Sequence, residues 1–339
     1  MLNKKNSQGK SQKAWALLTL VVAMSLLLSG CAGAQAKVYH VGILSGLDFV
    51  ADSTDGFKEG MTALGYIEGK NIVYDVQKTN FDMEAYRSIL KKFVADKVDL
   101  ILAFPTEATI EAKTATKGTK IPVLFTFALV EGMGLIDSVR EPGGNITGVR
   151  YPGPDFAVRR LEVLRQIAPN AKRIFVPYQR GYPIVPPQLE VLRPAAQAAG
   201  VTLIEFPADN AAELQAEFDA RAKSADIGMD AILMIVEPLA VTPDDYAAIA
   251  KFAYEHKIPF GGAYVPVENY TDIFGVDVVS FESAKASAVL ADKIFKGTPA
   301  GTIPVLSAEP FLSINYKVAQ EFGLTVPDGL LKQADQVFR

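Results

Sequence analysis

The sequence predicts an α/β protein of two doubly wound parallel-sheet lobes joined by a hinge. Apolar runs of strand length alternate with amphipathic runs of helix length from Val38 onward, and the alternation resumes beyond Thr147-Gly148-Val149. Of the 339 residues, 309 remain once a 30-residue leader is set aside. That is enough for two buried cores, since domains usually run to about 100–200 residues.

In order, Val38 to Leu44 reads as an apolar strand, Asp55 to Leu64 as an amphipathic helix and Asn71 to Gln77 as a strand. A helix from Met83 to Ala95 and a strand from Asp99 to Ala103 follow. Next come a helix from Glu107 to Thr116, a strand from Pro122 to Thr126 and a short helix around Gly134 to Val139, ahead of Pro142-Gly143-Gly144. Strand-helix alternation implies a parallel sheet covered on both faces. Val98 to Leu102 and Pro122 to Phe125 fit strands buried on both sides.

The second half repeats the pattern with helix Phe156 to Ile167, strand Arg173 to Pro177, helix Pro187 to Ala199 and strand Thr202 to Phe206. Helix Ala211 to Ala222, strand Ala231 to Val236, helix Pro243 to His256 and strand Pro259 to Gly262 continue it. Val276 to Ser280, helix Phe281 to Phe295 and the stretch from Gly297 to Arg339 fit either lobe or a crossing between them.

The leader carries Lys4, Lys5, Lys10 and Lys13 with no acid, then a largely apolar run from Ala14 to Leu28. This order is that of an export signal, and the run is short of the roughly 20 residues a spanning helix needs. Leu28-Ser29-Gly30-Cys31 resembles the lipobox of bacterial lipoproteins. The resemblance implies that residues 1–30 are removed, that Cys31 is acylated, and that 31–37 tether the folded body to a membrane. Cys31 is the only cysteine, so no internal disulfide or cysteine zinc cluster is available. Without the four leader lysines, 30 basic residues face 38 acidic ones, a balance that disfavours nucleic-acid binding.

Catalytic signatures are sparse. The two histidines, His40 and His256, lie in no metal-ligand spacing, so no metal is expected. No GxSxG elbow exists, and Gly42-Ile43-Leu44-Ser45-Gly46 has the wrong spacing for one. Neither a Walker A sequence nor GxGxxG follows the first strand, so no nucleotide cofactor is expected. Carboxylates such as Asp244-Asp245, or Glu107 with Glu111, read as solvated faces or helix-start charges.

The strand ends offer binding chemistry instead. Open parallel sheets place ligands outside the carboxyl ends of their strands, so two facing lobes enclose a ligand between two such edges. In the first lobe those ends hold Ser45, Asp48, Phe104, Thr106, Thr126 and Phe127. In the second they hold Tyr178, Gln179, Arg180, Tyr182, Glu237 and Tyr264.

Several phrases span nearly the whole chain after the leader. The most specific is Leu64-Gly65-Tyr66-Ile67-Glu68-Gly69-Lys70-Asn71, preceded by Gly56-Phe57-Lys58-Glu59-Gly60-Met61. Others are Ala95-Asp96-Lys97-Val98-Asp99-Leu100-Ile101, Ile121-Pro122-Val123-Leu124-Phe125, Gly143-Gly144-Asn145-Ile146-Thr147-Gly148-Val149, Gly275-Val276-Asp277 and Asn315-Tyr316-Lys317-Val318-Ala319. Together they resemble the substrate-binding lipoproteins of ABC transporters, in the family that includes tryptophan- and other aromatic-amino-acid-binding members.

The resemblance implies a type I periplasmic-binding fold with three interlobe crossings, dividing the chain into 38–147 plus 276–304 and 148–275 plus 305–339. It implies a monomer, not an enzyme, that captures a small carboxylate-bearing molecule and delivers it to an ABC permease and its ATPase. It also implies that Thr106 touches the ligand, which suits a helix cap with free backbone N–H groups behind it. Gly65 suits a left-handed helix end, and Gly148 a flexible exit from the first lobe. Glu237 and Asp277 are candidates for a ligand amino group, and Arg180 for its carboxylate. The chain departs from the family at Val130-Glu131, where Asp-Pro is common, and at Tyr178-Gln179-Arg180-Gly181-Tyr182, where a polar Asn is usual. A sensory receptor module, or an exported hydrolase using Glu237 and Asp277, remains open at this point.

Overall fold

The computed structural model describes residues 37–263 and 270–339, and His40–Arg339 form one compact unit. Of the preceding unit, Met1–Tyr39, only the last three residues are described, with the Lys37 ammonium over the Tyr39 ring. Cys31 and Tyr264 lie outside the described residues.

The first lobe begins with β1 (Tyr39–Ser45), α1 (Ser53–Ala63), β2 (Ile72–Lys78), α2 (Met83–Ala95) and β3 (Leu100–Phe104). It continues through α3 (Thr106–Ala115), β4 (Val123–Ala128) and β5 (Ile146–Arg150). Local chemistry sets these elements. In α2 the Asp82 carboxylate caps the N–H groups of Glu84 and Ala85, and Tyr86, Leu90 and Phe93 fall on one buried face. Every residue of β3 and β4 is buried, as expected of strands covered on both sides.

The second lobe contains α4 (Gly153–Ile167), β6 (Arg173–Gln179), α5 (Val185–Ala198), β7 (Thr202–Ala208) and α6 (Ala211–Ala222). It then adds β8 (Ala231–Leu233), α7 (Pro238–Val241), α8 (Pro243–His256), β9 (Phe260–Gly261) and β10 (Phe274–Asp277). The chain closes with α9 (Ser280–Phe295), β11 (Leu306–Ser307), β12 (Phe311–Asn315), α10 (Tyr316–Glu321), α11 (Asp328–Leu331) and β13 (Gln336–Phe338).

The first sheet has the order β11-β5-β4-β3-β1-β2, with β1 parallel to β3, β3 to β4, β4 to β5 and β5 to β11. The second lobe has a four-stranded parallel sheet, β7-β6-β8-β9, and a three-stranded sheet, β10-β12-β13. A single bridge between Gly262 and Gly275 links these two sheets. The chain therefore leaves the first sheet after Arg150, returns with α9, and leaves again after Ser307. On its return α9 packs against α1, where Gly56 and Gly60 bring the helix against the Phe281 and Lys285 carbonyls, a gap too close for any Cβ.

Three local expectations change. Gly134 to Val139 is a series of turns, not a helix, because Gly132 and Gly134 adopt positive φ and the chain doubles back through Asp137 N–H to Pro142 O. Strand β8 stops at Leu233 instead of Val236, and Val236 turns toward the cleft. Gly148 sits inside β5, where a Cβ would strike the Phe125 ring and carbonyl, so close sheet packing fixes it and it is no flexible exit. Gly65 follows α1 with φ +91°, as expected of a helix end.

Candidate ligand-binding cleft

The strand ends of the two lobes face each other across a small cavity of about 40 Å³. On the first-lobe side it is lined by Leu47, Phe49, Phe81, Pro105, Glu107 and Phe127. On the second-lobe side it is lined by Tyr182, Ile184, Val236, Glu237, Pro238 and Val241. A second space of about 250 Å³ continues from it, sharing Phe49 and Phe127, and includes Asp277 on its wall.

Backbone geometry aims the aromatic walls. Register slips between Phe125 and Ala128 in β4, and within this bulge Phe127 takes φ +49°. A bulge re-aims a side chain, and here the Phe127 ring meets Tyr151 at 5.1 Å on the cleft side of the sheet. Phe81 also has a left-handed backbone, φ +53°, held by its N–H on Gly46 O at 3.0 Å. Gly46 in turn receives the Tyr86 hydroxyl at 2.6 Å and donates to Phe104 O at 2.8 Å.

The polar groups are few and specific. Glu237 is only 3% exposed and accepts three backbone N–H groups, from Gln179 at 2.8 Å, Leu239 at 3.1 Å and Ala240 at 2.9 Å. Burial outweighs these donors and pushes its carboxyl up to about 7. The Tyr182 hydroxyl donates to Glu107 Oε1 at 2.5 Å, joining the two lobes, and burial beside that carboxylate raises the phenol well above its ordinary value. Asp277 is buried at the end of β10 and accepts from its neighbour's amide, Val278 N, at 2.8 Å. Burial raises its carboxyl, against the charge of Arg160.

Of the residues singled out from sequence, Phe127, Tyr182, Glu237 and Asp277 line this space. Thr106 lies between the lining residues Pro105 and Glu107, but it does not cap α3. The cap position is Pro105, and the Thr106 hydroxyl instead receives Leu129 N–H at 3.0 Å. Asp48 sits exposed between the lining residues Leu47 and Phe49. Ser45, Phe104 and Thr126 are buried in the sheet beneath, with the Thr126 hydroxyl lacking a partner.

Arg180 and Tyr178 do not join the group. The Arg180 guanidinium is drawn outward to Asp209, Glu213 and Pro207 O, and the Tyr178 hydroxyl to Glu205, which Arg193 also holds. Glu131 pairs with Arg150 at the end of β5. Sequence reasoning missed Phe81 and Ile184 and read Glu107 as a solvated helix-start charge, whereas it lines the cleft; all three lie in loops or on a helix start where no periodic pattern marks a direction. Among the described residues no cluster of His, Cys, Asp and Glu is placed to hold a metal, and no helix is long and apolar enough to cross a membrane.

Two doubly wound lobes with a mostly apolar cavity between their strand ends define a two-lobed solute-binding protein. The chain belongs to the ABC transporter substrate binding protein family, whose model matches residues 41–338. It is 27% identical over 319 residues to a tyrosine-binding protein of Clostridioides difficile (strain R20291), covering 88% of this chain and 89% of that one. Its fold matches a Streptococcus pneumonia ABC domain in complex with L-Trp, with TM-score 0.77, 23% identity and coverage of 89% and 100% of the two chains. It also matches a ligand-free, open substrate binding protein with adhesive properties from Clostridium difficile. There the TM-score is 0.70 at 25% identity, over 89% of this chain and 99% of the other.

Proposed function

We propose that the protein is a lipid-anchored extracytoplasmic receptor that holds an amino acid with a flat or apolar side chain between its lobes and delivers it to an ABC permease and its ATPase. The observation that carries this reading is the make-up of the cleft, where aromatic and aliphatic walls surround a few buried carboxyl groups. Phe49, Phe81 and Phe127 suit the flat body, and Glu237 and Asp277 suit an ammonium. The first-turn N–H groups of α3 have no partners within the helix, and with Thr106 beside them they suit a carboxylate. The tyrosine-binding relative and the L-Trp complex agree with an aromatic amino acid. The ligand leaves as it entered, without turnover.

The test is native mass spectrometry of the purified protein for a co-purified ligand, followed by calorimetry with L-tyrosine, L-tryptophan and L-leucine. Saturable binding of at least one amino acid is expected, and no binding of any of the three overturns the ligand assignment. The anchor is tested separately. Cys31→Ser should move the protein from the membrane fraction to the soluble one, because diacyl anchoring depends on that thiol. Retention with membranes overturns the lipoprotein assignment.

A further inference from the structure

Arg160, on α4, has the bulkiest fully buried side chain among the described residues. A buried guanidinium is costly unless hydrogen bonds and a counter-charge compensate it. Here Nε and Nη2 donate to Val276 O at 3.0 and 2.7 Å, and Nη2 also donates to the Tyr151 hydroxyl at 2.6 Å. Tyr151 follows β5, where the chain first leaves the first lobe, and Val276 precedes the point where it returns. Arg160 therefore ties together two of the segments by which the chain passes between the lobes.

The Tyr151 hydroxyl lies beside the Asp277 carboxyl group, and the Tyr151 ring packs on Phe127 in the cleft wall. The line from guanidinium through phenol to carboxylate ends on an acid that faces the ligand space. Nη1 of Arg160 is buried without a partner, and so are both oxygens of Asp272, whose carboxyl burial drives strongly toward the neutral form. Asp272 and Asp277 both lie within reach of the Arg160 charge, which opposes the upward push of burial on each, and a ligand ammonium beside Asp277 adds a second positive charge.

We propose that Arg160 is a positioning residue for ligand recognition: through Tyr151 and the Val276 carbonyl it orients Asp277 as the partner of the ligand's amino group. This rests on the amino-acid reading above. The titratable groups packed around Asp277 are Arg160 from α4, Tyr151 from the first crossing and Asp272 ahead of β10. Ser280, Ser313 and Gln336 line the same space without titrating.

The test compares L-tyrosine with its amine-free analogue, 3-(4-hydroxyphenyl)propionate, on the full chain by calorimetry. Arg160→Met should weaken L-tyrosine at least about tenfold, while the analogue changes by less than about threefold. The pH at which L-tyrosine affinity reaches half its plateau should move upward in this variant, because Asp277 without its cation ionises only at higher pH. Arg160→Lys should restore part of the discrimination. If Arg160→Met does not fold, Tyr151→Phe, which keeps the ring and removes only the hydroxyl, carries the test with a smaller loss confined to L-tyrosine. An equal loss for both compounds, or no loss, overturns the inference while leaving the functional reading intact. Failure of the unaltered protein to bind any of the three amino acids overturns both.

Discussion

The two walls of the cleft are built by different means. On the first-lobe side the chain is held largely by backbone: a continuous ladder from β1 to β5, with Thr79 N–H on Ser45 O, Phe81 N–H on Gly46 O and Gly46 N–H on Phe104 O at the loops. On the second-lobe side β8 has three residues and β9 two, and buried polar side chains take over the work of the ladder. Gln188 donates to both Ile184 O and Val236 O, Glu237 gathers three amides, and Arg160 grips Val276 O. Backbone ladders are insensitive to side-chain identity, so single substitutions should distort the second wall more readily than the first.

The largest expected effect separates stability from recognition. Phe93→Ala, deep in the first-lobe core, should cost about 3–5 kcal/mol in denaturant unfolding, through lost burial and the cavity left behind. The preference for L-tyrosine over its amine-free analogue should be unchanged. A shifted preference would break the comparison, because it would mean that the first-lobe core shapes the site.

Gln188→Leu should cost about 1–3 kcal/mol by removing the side-chain donor that the Ile184 and Val236 carbonyls share. Unlike Phe93→Ala it should also weaken ligand binding, since both residues line the cavity. Unfolding and calorimetry on the same preparation decide whether the two losses travel together.

Glu237→Ala should weaken amino-acid binding roughly tenfold or more, which corresponds to about 1.4 kcal/mol per decade. Its pH signature is sharper. A carboxyl raised to about 7 is mostly protonated below that pH, so affinity for an ammonium-bearing ligand should rise as pH climbs through about 7 and level off above. For folding the sign is opposite: a raised carboxyl favours the folded state below its ordinary value of 4.5, and that contribution is lost as pH rises toward about 7. A flat binding profile between pH 6 and 8 would remove Glu237 from the site.

The smallest expected effect is at Arg180. Its guanidinium lies in exposed pairs with Asp209 and Glu213, so Arg180→Ala should change the ligand Kd by less than about twofold. A large loss would mean that the strand end after β6 reorganises on binding.

The sequence alone determined what local chemistry can determine. Helices at Met83–Ala95, Ala211–Ala222 and Pro243–His256 are legible to the residue. Asp82, Asn210 and a proline at the first position mark their starts, and apolar spacing marks their buried faces. Strands buried on both sides, such as β3 and β4, are legible as unbroken apolar runs. Glu237 was singled out because strand ends in doubly wound sheets meet at ligands, and Asp277 through the family phrase Gly275-Val276-Asp277. Tertiary structure alone decided which polar residues the fold turns inward. Arg160 and Arg180 look alike in the chain, yet packing of α4 against β10 seals one completely, while partners on β7 and α6 draw the other into solvent. Phe81 and Phe127 reach the cleft through left-handed backbone that no hydrophobic pattern encodes. Periodicity specifies a face relative to an element's own axis, and only the assembled sheets decide what that face meets.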